Sequence, residues 1–181
     1  MTSQSRVEVE DVEGEAVLRE QLEGGFQHAM RAVTVFEVPD FLSNDSLVVE
    51  SHVFSDQIGH AWRLWVKPHD KNGCVGLYLV PAEDLPEPYT ADFELAVVGR
   101  RGRVWRRELR GGRALLHKRT AGHGWPSFIS REEIERAEAD PDDPRGVLHD
   151  GTIVVTASRI ANVRPKSEES VRDGTPLSRT I

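Results

Sequence analysis

Cysteine and histidine are the side chains of this sequence best suited to nucleophilic or metal chemistry. The chain has one cysteine, Cys74, and seven histidines, at positions 28, 52, 60, 69, 117, 123 and 149. A cysteine nucleophile needs a neighbouring base and a lowered pKa, and no cysteine-protease signature surrounds Cys74. The histidines lack the tight spacing of a zinc site, and neither a glycine-rich phosphate loop nor a Gly-x-Ser-x-Gly turn is present. The sequence therefore predicts a protein that is not an enzyme and has no cofactor or metal site. A Cys74-dependent enzyme is the alternative.

Positive charge is concentrated between residues 100 and 119. This segment contains one acidic residue, Glu108, and nine basic ones: Arg100, Arg101, Arg103, Arg106, Arg107, Arg110, Arg113, Lys118 and Arg119. Because guanidinium groups match the geometry of carboxylates and phosphates, a basic ridge of Arg103, Arg106 and Arg107 would bind acidic or phosphorylated peptides. Three other interpretations stay open. The arginines could protect an exposed strand edge, form an anion- or nucleic-acid-binding module in which Trp105 stacks on a base, or be masked by the acidic N-terminal segment. The net charge of −7 and pI near 5.5 disfavour general nucleic-acid binding.

The length of 181 residues fits one domain with tails. Residues 7–30 carry seven acidic residues and one arginine, with apolar residues in a loosely helical rhythm that glycines interrupt. We expect a flexible acidic tail over residues 1–30, a folded domain over residues 31–163 and a disordered tail over residues 164–181. Because residues 7–30 lack a sustained heptad pattern, we expect a monomer. No signal peptide or membrane span is recognisable, so we expect a cytoplasmic or nuclear protein.

Strand patterns dominate the folded part. In "AWRLWVKP" (residues 61–68) Trp62, Leu64 and Val66 alternate with charged or amphipathic residues, and the same period of two recurs in "CVGLYLV" (74–80) after an Asn-Gly turn. Further short strands are predicted at 32–38, 47–55, 90–99, 104–109, 113–118 and 151–160. This regular series predicts an all-β fold, an antiparallel sandwich of about eight strands.

One short helix is predicted in "SREEIERAEA", residues 130–139. Ser130 caps its start in a capping-box pattern with Glu133 three residues later. Ile134 and Ala137 would then face the protein, and Pro141 follows the helix.

Four segments together resemble the MATH domain, the meprin and TRAF homology family. "WRLWVKP" followed by "GLYL" is similar to its Trp-x-Leu-x-Val-x-Pro and Leu-Tyr-Leu strands, and "ADFELAVVG" is similar to its Phe-x-Leu-x-Val strand. "GHGWPSFISREEI" and "VLHDGTIVVTASRI" resemble the next two segments of the family in the correct order. The resemblance covers residues 31–163 and implies a TRAF-like β-sandwich.

The resemblance also implies a function. Members of this family bind short extended peptides in a shallow groove on one sheet, and some serve as adaptors of cullin ubiquitin ligases. The implied partners are therefore short linear motifs of other proteins, and a link to ubiquitin pathways is a further implication of the resemblance. By motif position, the implied peptide-binding residues are Tyr78, Phe93, Leu115, His123 and Trp125. The family has tryptophan at the position of His123, so this wall of the groove would be more polar.

Residue parity gives a separate expectation for three of these positions. Tyr78 alternates with Leu77 and Leu79, so it should be partly exposed on the outer sheet surface with its hydroxyl free. Phe93 shares its parity with Leu95, which also fits a core position. Trp125, beside a proline, would alternatively close the end of the sandwich.

Overall fold

The computed structural model describes residues 34–140 and 142–166, with the side chains of residues 112–115 excepted. Most of both predicted tails lies outside the described residues. The described chain forms nine strands and one α-helix, joined by loops and short 3₁₀ turns. Their bounds are β1 Thr34–Val38, β2 Val49–Glu50, β3 Phe54–Ser55, β4 Ala61–Lys67, β5 Cys74–Pro81, β6 Tyr89–Val98, β7 Val104–Leu116, β8 His123–Ser130, α1 Arg131–Glu138 and β9 Ile153–Pro165.

The strands form two antiparallel sheets. Sheet 1 has the order β1-β9-β6-β7, and sheet 2 has the order β2-β4-β5-β8, with β3 also paired to β4. The inward-facing residues of both sheets make one apolar core. The prediction of an all-β antiparallel sandwich with one short helix is confirmed.

Alternation in β4 and β5 places the core as the sequence predicted. Trp62, Leu64 and Val66 of β4 are buried, whereas the residues between them are partly exposed. Leu77 and Leu79 of β5 are buried as well and pair with β4 in register. Full burial of such side chains contributes roughly 1.5–3 kcal/mol each, so this central hairpin anchors sheet 2.

The helix α1 begins as predicted. The Ser130 hydroxyl accepts a hydrogen bond from the Glu133 amide at 3.4 Å, which satisfies one of the free amides of the first turn. Ile134 and Ala137 are buried, and the helix packs on β8 and β5. Sheet 2 therefore carries the helix.

Three strand boundaries differ from the prediction. β7 is one strand rather than two, because Gly111 adopts a φ of 73° within a bulge where the register with β6 shifts. The predicted strand at residues 47–55 is split into β2 and β3. β9 continues to Pro165 through Arg159 and Asn162, which both have positive φ.

Candidate peptide-binding site

Both sheets end on the same side of the sandwich. β7 is the last strand of sheet 1, β8 is the last strand of sheet 2, and these two strands contact each other. We call the surface between them the open side, bounded by β7 Val104–Leu116 and β8 His123–Ser130. An edge strand carries unpaired backbone amides and carbonyls that an added extended peptide can use.

An aromatic cluster lies at the open side. Trp125 and His123 of β8 pair with Leu77 and Leu79, so their side chains point inward. The rings of Trp125 and His123 meet Phe93 edge-on, with centroids 5.8 and 6.4 Å away. Trp125 also contacts Phe128 at 6.0 Å. Phe93 is fully buried, whereas His123 and Trp125 are half-buried, so two of the three predicted residues are partly accessible.

His123 is held in its neutral form. Burial lowers the pKa of its imidazole from the ordinary value of 6.5, because a charged ring is disfavoured away from water. At neutral pH the ring is therefore an uncharged group that can both donate and accept hydrogen bonds.

Tyr78 lies on the other face of sheet 2. It is half-buried and pairs with Trp65 on one side and Gly124 on the other. Its hydroxyl donates a hydrogen bond to Asp70 at 2.5 Å, so the expectation of a free hydroxyl is wrong. Burial, followed by this hydrogen bond and the charge of Asp70, raises the pKa of the Tyr78 hydroxyl. The ammonium of Lys67 lies 4.8 Å from the ring centroid.

Close packing around Tyr78 requires glycine at three neighbouring positions. A Cβ at Gly76 would lie 2.1 Å from the Asp70 carboxylate, and one at Gly124 would lie 2.0 Å from the Leu77 carbonyl oxygen. Gly122, just before β8, would likewise bring a Cβ to 2.9 Å from the Tyr78 Cβ. The outer surface of β8 beside Tyr78 is therefore bare backbone. Sequence reasoning missed this surface, although a glycine inside a strand is itself a sign of close approach.

Leu115 belongs to β7, where it pairs with Thr90. Its backbone thus lies in the strand that borders the open side. The structure does not describe its side chain.

The three arginines of the predicted ridge divide between two faces of β7. Arg107 pairs with Leu95 and shares the inward face with Trp105, and Arg106 pairs with Ala96 on the outer face. The Arg107 guanidinium lies 5.6 Å from the Phe128 ring, and Arg103 lies 4.8 Å from the Trp105 ring. Arg103 and Arg107 therefore border the open side, whereas Arg106 does not.

A small pocket closes one end of the open side. It has a volume of about 90 Å³ and is lined by Arg103, Trp105, Ile129, Glu133, Arg136, Ala137, Arg145 and Val147. The Arg145 side chain donates three hydrogen bonds to the Asp143 carboxylate, two from Nε at 3.0 and 3.1 Å and one from Nη2 at 2.7 Å. This hydrogen bonding holds the pKa of Asp143 at about 2. Arg136 pairs with Glu132 at 2.6 Å. Two of the three guanidinium groups at this pocket therefore already pair with carboxylates of the chain, and Arg103 stacks on Trp105.

The residues first considered for catalysis have other contacts. The Cys74 thiol lies 3.8 Å from the Asn72 carbonyl oxygen. His60 contacts the buried carboxylate of Asp56, which also accepts a hydrogen bond from Trp62 at 3.1 Å. Within residues 34–140 and 142–166, no cluster of three or more His, Cys, Asp or Glu side chains could hold a metal ion. Over the same residues, no helix is long and apolar enough to cross a membrane.

Comparison with known families agrees with this architecture. The MATH domain family model matches residues 53–158, more than half of the chain. The protein therefore belongs to the MATH domain family, whose domains generally act as protein-interaction modules. A comparison with curated proteins gave no match.

Proposed function

We propose that this protein binds short extended segments of other proteins along the open side, without catalysing a reaction. One observation carries the proposal: among the described residues, the edge strands β7 and β8 of the two sheets lie together, next to half-buried aromatic rings. A peptide added to a strand edge gains main-chain hydrogen bonds, and pockets beside that edge select its side chains.

Tyr78 and the bare backbone of β8 extend this site onto the outer surface of sheet 2. Since Gly122 and Gly124 have no side chains, a peptide on β8 could approach the Tyr78 ring across them. Aromatic residues dominate the binding energy of such interfaces. Tyr78 and Trp125 would therefore contribute most of the affinity, with His123 adding a hydrogen bond.

We further propose that the preferred segments are acidic or phosphorylated. Arg107 and the pocket around Arg103 lie on the open side, so a carboxylate or phosphate at one end of a bound peptide would meet guanidinium groups. This supports an acidic peptide partner over nucleic acid, because the outward Arg106 is separated from the other two arginines by the sheet.

The assignment to ubiquitin pathways is also a proposal. It is supported by the resemblance of the tyrosine strand and of the segment around Trp125 to family members that serve as ligase adaptors. Loss of the protein should then lower the ubiquitination of a partner that carries its peptide motif. Unchanged ubiquitination of every such partner would contradict this assignment.

A peptide-array screen followed by affinity measurements tests the binding site. Trp125→Ala and Tyr78→Ala should each weaken peptide binding at least tenfold, about 1.4 kcal/mol or more. Trp65→Ala is the matched control, because Trp65 lies beside Tyr78 but one strand farther from β8. Equal losses from Trp65 and Tyr78 would move the site to the centre of sheet 2. Binding of mixed oligonucleotides stronger than that of acidic peptides would favour the nucleic-acid alternative.

A further inference from the structure

The outer face of sheet 1 is defined by its two central strands. Register places Glu94, Ala96 and Val98 of β6 beside Ser158, Thr156 and Val154 of β9, all pointing away from the core. The residues between them, such as Leu95 and Val155, belong to the core. Val35 of β1 pairs with Thr156 and extends this face to the edge of the sheet.

This outer face is buried. Thr156 is 0% exposed, Ala96 1% and Glu94 3%. An antiparallel sheet with one solvated face normally alternates apolar and polar residues, yet residues 95–98 and 153–155 are uninterrupted apolar runs. The described helix is not placed to cover the face, because it packs on β8 and β5 of sheet 2. The burial of this face therefore requires a cover other than the described helix.

We propose that residues 7–30 of this chain cover the outer face of sheet 1. This segment precedes β1, which is an edge strand of the same sheet. Adjacent strands are about 4.8 Å apart, so the full width of sheet 1 is about 14 Å, which ten residues of helix can span at 1.5 Å each. The segment is long enough to return across all four strands.

The composition of the segment matches the face. Its apolar residues, among them Val12, Ala16, Val17 and Leu22, recur in a loosely helical rhythm and would pack on the small residues Ala96 and Thr156. Its acidic residues would meet Arg106, which is exposed on the outer side of β7. The acidic residues of the segment thus complement Arg106 at the β7 edge of the face, and its apolar residues complement Ala96 and Thr156 at the centre.

The other end of the chain fits less well. Residues 167–181 contain only three apolar residues, Val171, Leu177 and Ile181. β9 ends at Pro165, which pairs with Tyr89 at the far end of β6 from Val98. The C-terminal segment therefore starts away from the apolar half of the face.

Paramagnetic relaxation in the full chain tests the contact. With Cys74→Ser as background, a spin label on Ala16→Cys should remove most of the amide signal of Ala96 and Thr156. The signals of Arg63 and Lys67, on the other sheet, should remain. A label on Ser178→Cys is the matched control and should leave Ala96 and Thr156 unaffected. Uniform or absent broadening from the first label would overturn the proposal.

A mixed sample tests whether a second copy of the chain, rather than the same chain, covers the face. Protein that carries the spin label but no ¹⁵N is mixed with ¹⁵N-enriched protein that carries no spin label. Any broadening of the ¹⁵N signals then arises from contact between two molecules. The proposal requires unchanged signals in this sample. Broadening of Ala96 and Thr156 there would show that a second chain covers the face and would overturn the intramolecular contact.

Thiol accessibility provides a second, independent readout. In the Cys74→Ser background, a thiol introduced by Thr156→Cys should react slowly with an aqueous thiol reagent. Replacing Val12, Val17 and Leu22 with serine in the full chain should increase the rate on the order of tenfold, since the cover opens more often. The control is Thr120→Cys, an exposed position whose rate should not change. An unchanged Thr156→Cys rate would overturn the proposal.

Discussion

At the centre of the outer face of sheet 1, small and β-branched residues such as Ala96 and Thr156 are almost fully buried. The outer face of sheet 2 instead carries long side chains that are partly exposed. On sheet 2, Arg63, Trp65 and Lys67 of β4 lie beside Tyr78 of β5, and each is partly accessible. On sheet 1, Ala96 and Thr156 have almost no accessible surface. The difference indicates that one face contributes to stability and that the other is available to a partner.

The largest loss of stability should come from β5, where residues that face the core alternate with residues on the outer face of sheet 2. Leu79→Ala should lower the free energy of unfolding by about 2–5 kcal/mol, because it leaves a cavity in a fully buried site. Tyr78→Ala, one position away, should cost well under half as much, and urea unfolding measures both. A larger loss from Tyr78→Ala would make the outer face of sheet 2 structural and would break the comparison.

A matched pair of Ala→Asp variants tests the two outer faces directly. Ala96→Asp places a charge in a buried position of sheet 1 and should destabilise the protein by roughly 2–4 kcal/mol. Ala61→Asp, at a partly exposed outward position of sheet 2, should cost less than about 1 kcal/mol. Thermal unfolding of both variants gives the comparison. Similar melting temperatures would show that the outer face of sheet 1 is accessible to water.

The buried carboxylate of Asp56 should stabilise sheet 2 to an extent that depends on pH. Burial alone would raise the pKa of Asp56, but hydrogen bonds from Trp62, His60 and Ile58 outweigh it and hold that pKa below 3.8. The stabilisation is therefore complete above pH 4 and is lost as the pH falls through the lowered value. Asp56→Ala should cost about 1–3 kcal/mol at pH 7, because the Trp62 indole and two amides lose their acceptor.

The control for this prediction is the pH dependence of the unfolding free energy in a variant that keeps the shape of the side chain. In Asp56→Asn the residue no longer titrates, so the unfolding free energy should vary less between pH 2 and pH 5 than in the natural protein. An identical profile would assign the acid sensitivity to other carboxyl groups.

The smallest expected effect concerns the arginines of β7. Arg103→Ser and Arg107→Ser should each weaken binding of an acidic peptide by roughly 0.2–1 kcal/mol, and salt should reduce the difference. Arg106→Ser is the matched control, because Arg106 lies on the outer face of sheet 1. Titrations at two ionic strengths measure this effect. Equal losses of affinity from all three variants would mean that the arginines attract the peptide by their total charge, whichever face of the sheet they lie on.

Local patterns predicted the elements that depend on local chemistry. The alternation around Trp62 and Leu64, the turn before Cys74 and the Ser130 cap all appear as expected. Each is determined within a few residues by side-chain period, positive φ or a capping oxygen.

Features that depend on pairing between distant strands could not be predicted in this way. The sequence predicted separate strands at residues 104–109 and 113–118, and only the shifted register with β6 makes β7 continuous. Likewise, Trp125 faces inward because it pairs with Leu77, whereas Tyr78 faces outward. The motifs therefore identified the residues of the candidate site, and the register between strands determined which of them share a surface.

The pairing of the first strand with the last has a consequence for synthesis of the protein. β4 and β5 are neighbours in sequence and can pair early, whereas the partner of β1 among the described strands is β9. Sheet 1 therefore cannot close until β9 has left the ribosome, whereas sheet 2 requires nothing beyond β8. We expect nascent chains arrested after β8 to protect sheet 2 from proteolysis while the outer face of sheet 1 stays unformed. The order of translation would then let sheet 2, which carries Tyr78 and β8, form before sheet 1 is complete.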